Sequence, residues 1–272
     1  IIIMSPVYSP FFDLVLNQNR KLLESPLINN NGYFEMDFKD IESKLPFAKI
    51  LIVCNPHNPV GRVYNKLELD RLVNLCKNYG VFLISDEVHC DLILGDNQFH
   101  SVKNYLDVYK KISVLSSPSK TFNVAGLISS YVVIRDEETK NLYQTYRKNH
   151  FYAHQNIFGV LATTCAYNNA TNWVNSQLKY LTNNFNYLKD FFAKYPKAIV
   201  TPTEGTYLAW VDLSYLGLSG DEINQRLLKN HVMVSMGSIY GKDYSQFIRI
   251  NFACSLEQLT EGLKRIEEAL LK

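Results

Sequence analysis

Three short runs constrain the fold more than any other feature: AKILIVC (48–54), VFLISDE (81–87) and KISVL (111–115). A strand with one face in water alternates apolar and polar residues. These runs are apolar on both faces, so each has to be covered on both sides. Between the first two lies KLELDRLVNLCKNYG (66–80), with Leu69, Leu72, Val73 and Cys76 at helical spacing and Gly80 as a C-cap. Doubly covered strands separated by amphipathic helices imply a mostly parallel sheet with helices on both faces. Ligands of such sheets bind beyond the carboxyl ends of the strands. The opening IIIM reads as the inside of another strand, being too short for a signal-peptide core and lacking a basic flank. A chain rarely starts inside a strand, so the expectation is that the natural protein has an N-terminal part ahead of Ile1.

From Asn156 to Phe192 the pattern is helical, with a break around NNATN, a length suited to linking two domains. PKAIVTPTEGTYLAWVDLS then supplies two strands, and Ser219 with Glu222 forms a capping box for the helix in GDEINQRLLKN. FIRINFA is a further strand, and the last amphipathic helix starts at Ser255 as N-cap. The expected fold is therefore α/β, a mostly parallel sheet with helices on both faces, plus a smaller α+β C-terminal domain. The boundaries read as 1–155 for the large domain, 156–194 for linking helices and 195–272 for the small domain. A single large α/β domain is the alternative at 272 residues.

The 28 basic side chains against 26 acidic ones give a formal charge of +2, no electrostatic footprint for nucleic acid or a membrane surface. No apolar run is long enough to span a bilayer. Five cysteines, Cys54, Cys76, Cys90, Cys165 and Cys254, are odd in number and form no CxxC pair. They read as buried small hydrophobes in a reducing, cytoplasmic compartment, not as disulfides or a metal site.

Four positions could carry chemistry. Asn58 in NPHNPVGR is either part of a double Asn-Pro turn or a hydrogen-bonding group at the mouth of the sheet. The neighbouring His57 has no second ligand at metal spacing and reads as a loop histidine. Asp86 in SDEVHCDL follows a buried strand; a helix N-cap and a carboxylate facing a cationic partner are both open readings, and His89 stands within a helical turn of it. Lys120 in SSPSKTFNVAGL is flanked by Ser117 and Ser119, as a surface lysine in a serine-rich corner or as a reactive amine beside an anion site. Arg249 lies inside the apolar strand FIRINFA, where it either snorkels or captures a carboxylate with its planar fork. An Asn for a phenolic oxygen, an Asp for a pyridinium nitrogen, a Lys for an aldehyde and an Arg for an amino-acid carboxylate are together the groups that pyridoxal phosphate chemistry requires.

These residues, in this order, resemble the fold-type I pyridoxal 5'-phosphate (PLP) enzymes of the class I/II aminotransferase superfamily, over essentially the whole chain. NPHNPVGRV, SDEVHCDL, SKTFNVAGL, EGTYLAWVDLS and IRINFAC are most similar to the cystathionine β-lyase, or C–S lyase, branch. Transaminases of the superfamily usually carry Tyr where His89 stands, and many carry a phosphate-binding Arg where Ile128 stands. Both departures favour a lyase. SPVYSPF resembles the segment whose aromatic, here Tyr8, stacks on the cofactor ring; the branch often has a second Tyr where this chain has Ser9.

The resemblance implies that Lys120 bonds the cofactor and serves as the base. Asn58, Asp86, His89, Tyr8, Ser117 and Ser119 then hold the cofactor, and Arg249 holds the substrate carboxylate. It further implies β-elimination from cystathionine or a related cysteine S-conjugate, giving a thiol, pyruvate and ammonia, in a homodimer. The phosphate-cradling glycine-containing helix of the family lies upstream of this start, so weak PLP binding by the chain is expected. The alternatives are an aminotransferase on the same scaffold and a non-catalytic fragment or regulatory binding protein.

Overall fold

The computed structural model describes residues 1–152 and 156–272. In chain order come β1 (Ile2–Ile3), α1 (Pro10–Leu16), β2 (Leu23–Glu24), β3 (Ile28–Asn30), β4 (Tyr33–Glu35), α2 (Phe38–Lys44) and β5 (Ile50–Cys54). They are followed by α3 (Lys66–Tyr79), β6 (Phe82–Asp86), β7 (Ile112–Ser116), α4 (Pro118–Thr121), β8 (Tyr131–Ile134) and α5 (Glu137–Asn149). Next are α6 (Ile157–Asn169), α7 (Thr171–Phe192), β9 (Ile199–Val200), β10 (Leu208–Asp212) and α8 (Gly220–Lys229). The chain closes with β11 (Ser235–Met236), β12 (Phe247–Asn251) and α9 (Leu256–Ile266).

Six strands form the larger sheet in the order β2-β1-β5-β6-β7-β8. All neighbours are parallel except β7 and β8. The double-sided burial read from the sequence is realised in β5. Leu51 and Val53 enter a core shared with Leu69, Leu72, Val73 and Cys76 of α3, while Ile52 and Cys54 pack with Val7 and Phe11. Each such buried aliphatic side chain contributes roughly 1.5–3 kcal/mol. α3 begins at a capping box made by Asn65 and Glu68 and stops at Gly80, whose left-handed φ of 66° a glycine adopts without a Cβ penalty.

The second sheet is antiparallel, in the order β11-β12-β10-β9, and packs with α7, α8 and α9 around Ile223, Leu227, Ile248 and Leu263. Ser219 and Glu222 form the expected capping box, Ser255 caps α9, and the break in the long helical stretch falls at Ala170. The two cores exchange side chains. Trp210, Tyr240 and Phe247 pack into the first, and Leu92 and Leu94 into the second. The sequence-based boundary at 155 falls on residues 153–155, outside those described.

Two expectations need correction. Cys54 and Cys76 are buried, but Cys90 and Cys254 are only partly so and Cys165 is exposed. Cys165 lies on α6, which packs along one side on α4 and α7 and leaves Ile157, Phe158 and Leu161 in the open. The segment after Asp86 is a turn, not a helix, so Asp86 caps nothing helical. His57 sits in a loop as read, yet it is fully buried.

Candidate active site

Three adjacent parallel strands end together. Cys54 pairs with Asp86 and Asp86 with Leu115, so the loop after β5, Asp86 at the end of β6, and α4 after β7 leave one edge of the sheet side by side. That edge is the carboxyl end, and it carries Asn58, Asp86 and Lys120. Arg249 arrives from the second sheet, on β12 opposite Trp210.

Asn58 and Arg249 meet directly. Arg249 donates from Nη1 to Asn58 Oδ1 at 2.9 Å and from Nη2 to Ser235 Oγ at 3.2 Å. With its carbonyl end held as acceptor, Asn58 presents its NH2 end as a donor. The guanidinium lies 5.0 Å from the centre of the Tyr240 ring, and its buried Nε has no partner among the described residues. The arginine therefore keeps unused donors for a carboxylate.

Asp86 accepts a hydrogen bond from the Val88 N–H at 3.1 Å. Burial pushes its carboxyl pKa up, opposed by that N–H and by the positive charge of Lys120. His89 is buried, edge-on to Tyr207 with ring centres 5.4 Å apart, and its Nδ1 has no partner among the described residues. Burial first, then the charges of Lys120 and Arg249, bring its pKa down to about 3, so the ring is neutral at neutral pH. The charge of Lys120 thus acts on both Asp86 and His89, and that of Arg249 on His89.

Lys120 is half-buried on the single turn of α4. Ser117 caps that turn, accepting from Ser119 N–H at 3.0 Å and donating to the Ser129 carbonyl at 2.6 Å. Its one hydroxyl proton is thus engaged within the protein, and an anion would have to displace Ser129 to receive it. Ser119 lies half-buried beside Lys120. Tyr8 is 40 % exposed and stands edge-on to Phe11, with ring centres 5.6 Å apart. Its neighbour Val7 donates to the Tyr240 carbonyl at 3.0 Å, which ties the two backbone segments together.

Sequence reasoning passed over Tyr207, Tyr240, Ser235, Arg62 and Glu204. Arg62 stood inside the quoted loop and is almost fully buried, 1 % exposed. Its partner Glu204 lies 142 residues away, beyond the reach of any local pattern.

Residues 1–266 match the family described as Aminotransferase class I and II. A cystathionine beta-lyase of Bacillus subtilis, PatB, is 36 % identical over 275 residues, covering 99 % of this chain and 71 % of that protein. The PLP-bound C-S lyase of Staphylococcus hominis superposes with a TM-score of 0.92 at 37 % identity, over 100 % of this chain and 70 % of its own. A PLP-bound putative aminotransferase of Clostridium difficile 630 superposes with a TM-score of 0.95 at 41 % identity, over 98 % and 70 %. The family match and the superpositions agree: this chain belongs to the aminotransferase class I and II family.

Proposed function

We propose that the protein is a PLP-dependent C–S lyase acting on cystathionine or related cysteine S-conjugates, releasing a thiol, pyruvate and ammonia. The observation that carries this reading is the 2.9 Å hydrogen bond between Arg249 and Asn58. It joins a carboxylate receptor to an amide donor at the edge where Asp86 and Lys120 emerge. The residues fit the cofactor. Asn58 has an NH2 end without a partner among the described residues, suited to a phenolic oxygen, and Asp86 offers a carboxylate to a ring nitrogen. Lys120 offers an amine, and buried His89 has an Nδ1 without a partner among the described residues. PLP, when bound, supplies the electron sink that makes a substrate Cα–H acidic.

The protein's own groups do the rest. Arg249 binds the substrate carboxylate and fixes its orientation. Lys120 removes the Cα proton as general base. Tyr8 offers its ring as an apolar face, Ser119 flanks the lysine as an anion ligand, and Ser117 joins it on releasing the Ser129 carbonyl. A neutral His89 in place of a tyrosine hydroxyl, and Ile128 in place of an arginine, favour elimination over transamination. Within this reading residues 1–155 belong to the cofactor-binding domain, 156–194 link and 195–272 form the small domain. The working unit is a cytoplasmic homodimer.

A second reading, an aminotransferase, is favoured by the 41 % identity to a putative aminotransferase. Incubation with cystathionine and PLP, without a keto-acid acceptor, separates the two. Pyruvate formation supports the lyase, and turnover only on adding an acceptor supports the transaminase. Borohydride reduction of the PLP-treated protein followed by peptide mapping should label Lys120; a label elsewhere overturns the assignment.

A further inference from the structure

We propose that Arg62 and Glu204 form a buried joint that positions Asn58 and Arg249 against each other, which makes both of them positioning residues; this rests on the functional reading above. A guanidinium buried to 1 % exposure is tolerated only where its donors are met. Here they are. Nε donates to Glu204 Oε2 at 2.9 Å, Nη2 to both oxygens of Glu68 at 3.1 Å, and Nη1 to the Phe34 carbonyl. The Tyr33 ring lies 4.1 Å from the guanidinium carbon.

The joint ties two backbone segments that have no local reason to meet. Glu204 Oε2 also accepts from Val63 N–H at 2.7 Å. The N–H groups of Glu204 and Gly205 both donate to the Gly61 carbonyl, at 2.8 and 3.0 Å. Each segment contributes a glycine because the other leaves no room. A Cβ on Gly61 would lie 2.9 Å from the Thr203 methyl, and one on Gly205 would lie 2.8 Å from a Val63 methyl. One segment carries Asn58. The other runs through Thr206 and Tyr207 into β10, which pairs with β12 at Trp210 opposite Arg249. Whatever fixes the two segments fixes the separation of Asn58 and Arg249.

A merely structural ion pair would change stability and nothing else. Two measurements on the full chain separate the cases. In cofactor-free protein, Glu204→Gln should raise hydrogen exchange by about tenfold or more across 58–64 and 204–207, the loss of one charge-assisted bond, with the amides of β6 unchanged. In PLP-treated protein, Asn58→Ala should move the pH midpoint of the cofactor absorbance. Glu204→Gln should move it in the same direction, and adding it to Asn58→Ala should move it no further. Unchanged exchange, or additive shifts in the double variant, would overturn the proposal. Should Glu204→Gln fail to fold, Arg62→Lys serves the same two tests, because an ammonium cannot hold both carboxylates in fork geometry. If wild-type protein gives no cofactor absorbance even with PLP in an excess that saturates a weak site, the functional reading fails, while the exchange measurement still decides the joint.

Discussion

Arg249 has five N–H donors and gives one to Asn58 and one to Ser235, so a lysine in its place loses more than charge geometry. Arg249→Lys should lower kcat/KM for cystathionine by roughly 10–100-fold, most of it in KM, the equivalent of one charged hydrogen bond. Steady-state kinetics over a range of substrate concentrations check this. His57 and His89 are both buried with pKa values down to about 3, against an ordinary value of 6.5. Between those limits the unfolded chain binds more protons than the folded one, so stability falls as pH drops from 6.5 towards 3. Each histidine contributes a slope of about 1.4 kcal/mol per pH unit in that window. Urea unfolding from pH 7 down to 5 should show it, and His57→Leu should remove about half of the histidine-dependent slope, the two groups having equal shifts. Asp86 and Glu87 work the other way. Burial raises both, so their contribution is lost as pH rises.

At the scale of elements, Glu68 serves two structures at once. Its Oε2 accepts from the Asn65 N–H at 2.8 Å, completing the cap of α3, and its carboxylate faces buried Arg62. Asn65→Ala should cost about 1 kcal/mol, the usual value of an N-cap. Glu68→Ala should cost about 3 kcal/mol or more, because it also leaves a buried cation short of a partner. Urea midpoints for the two variants give the comparison directly. β5, β6, β7, α3 and the caps at Ser219 and Ser255 were all legible in the sequence, since burial and capping are written in local spacing. The turn after Asp86 was not. DEVHCDL carries helix-compatible residues, and what holds it as a turn is a set of distant bonds. Glu87, for one, accepts from Ser101 Oγ and the Val102 N–H. The exposure of Cys165 escaped for the same reason: residue type does not say what packs over α6.

For the whole molecule, residue type and order offer Asn58, Asp86, Lys120 and Arg249 as candidates, because the chemistry restricts which side chains can serve. Their mutual support could not. Tyr207, Tyr240 and Glu204 reach the site only through the packing of the second sheet against the first. The proposed homodimer has a direct check. Analytical ultracentrifugation of the chain, 31.4 kDa, should give a concentration-dependent species of twice that mass. A mass that stays monomeric through tens of micromolar would remove the dimer from the functional reading. Large apolar side chains such as Phe151, Ile157 and Phe158 are exposed, so detergent-free buffers of moderate salt suit the measurement.

Loops are where most enzymes absorb insertions and acquire new specificities. The contact of Gly61 with Thr203 and of Gly205 with Val63 closes that route on two of the segments nearest the site. A library that randomises or lengthens 56–63 or 201–206 would yield mostly misassembled protein. Tyr207, whose ring centre stands 5.4 Å from that of His89, is the neighbouring position where substitution meets no such barrier.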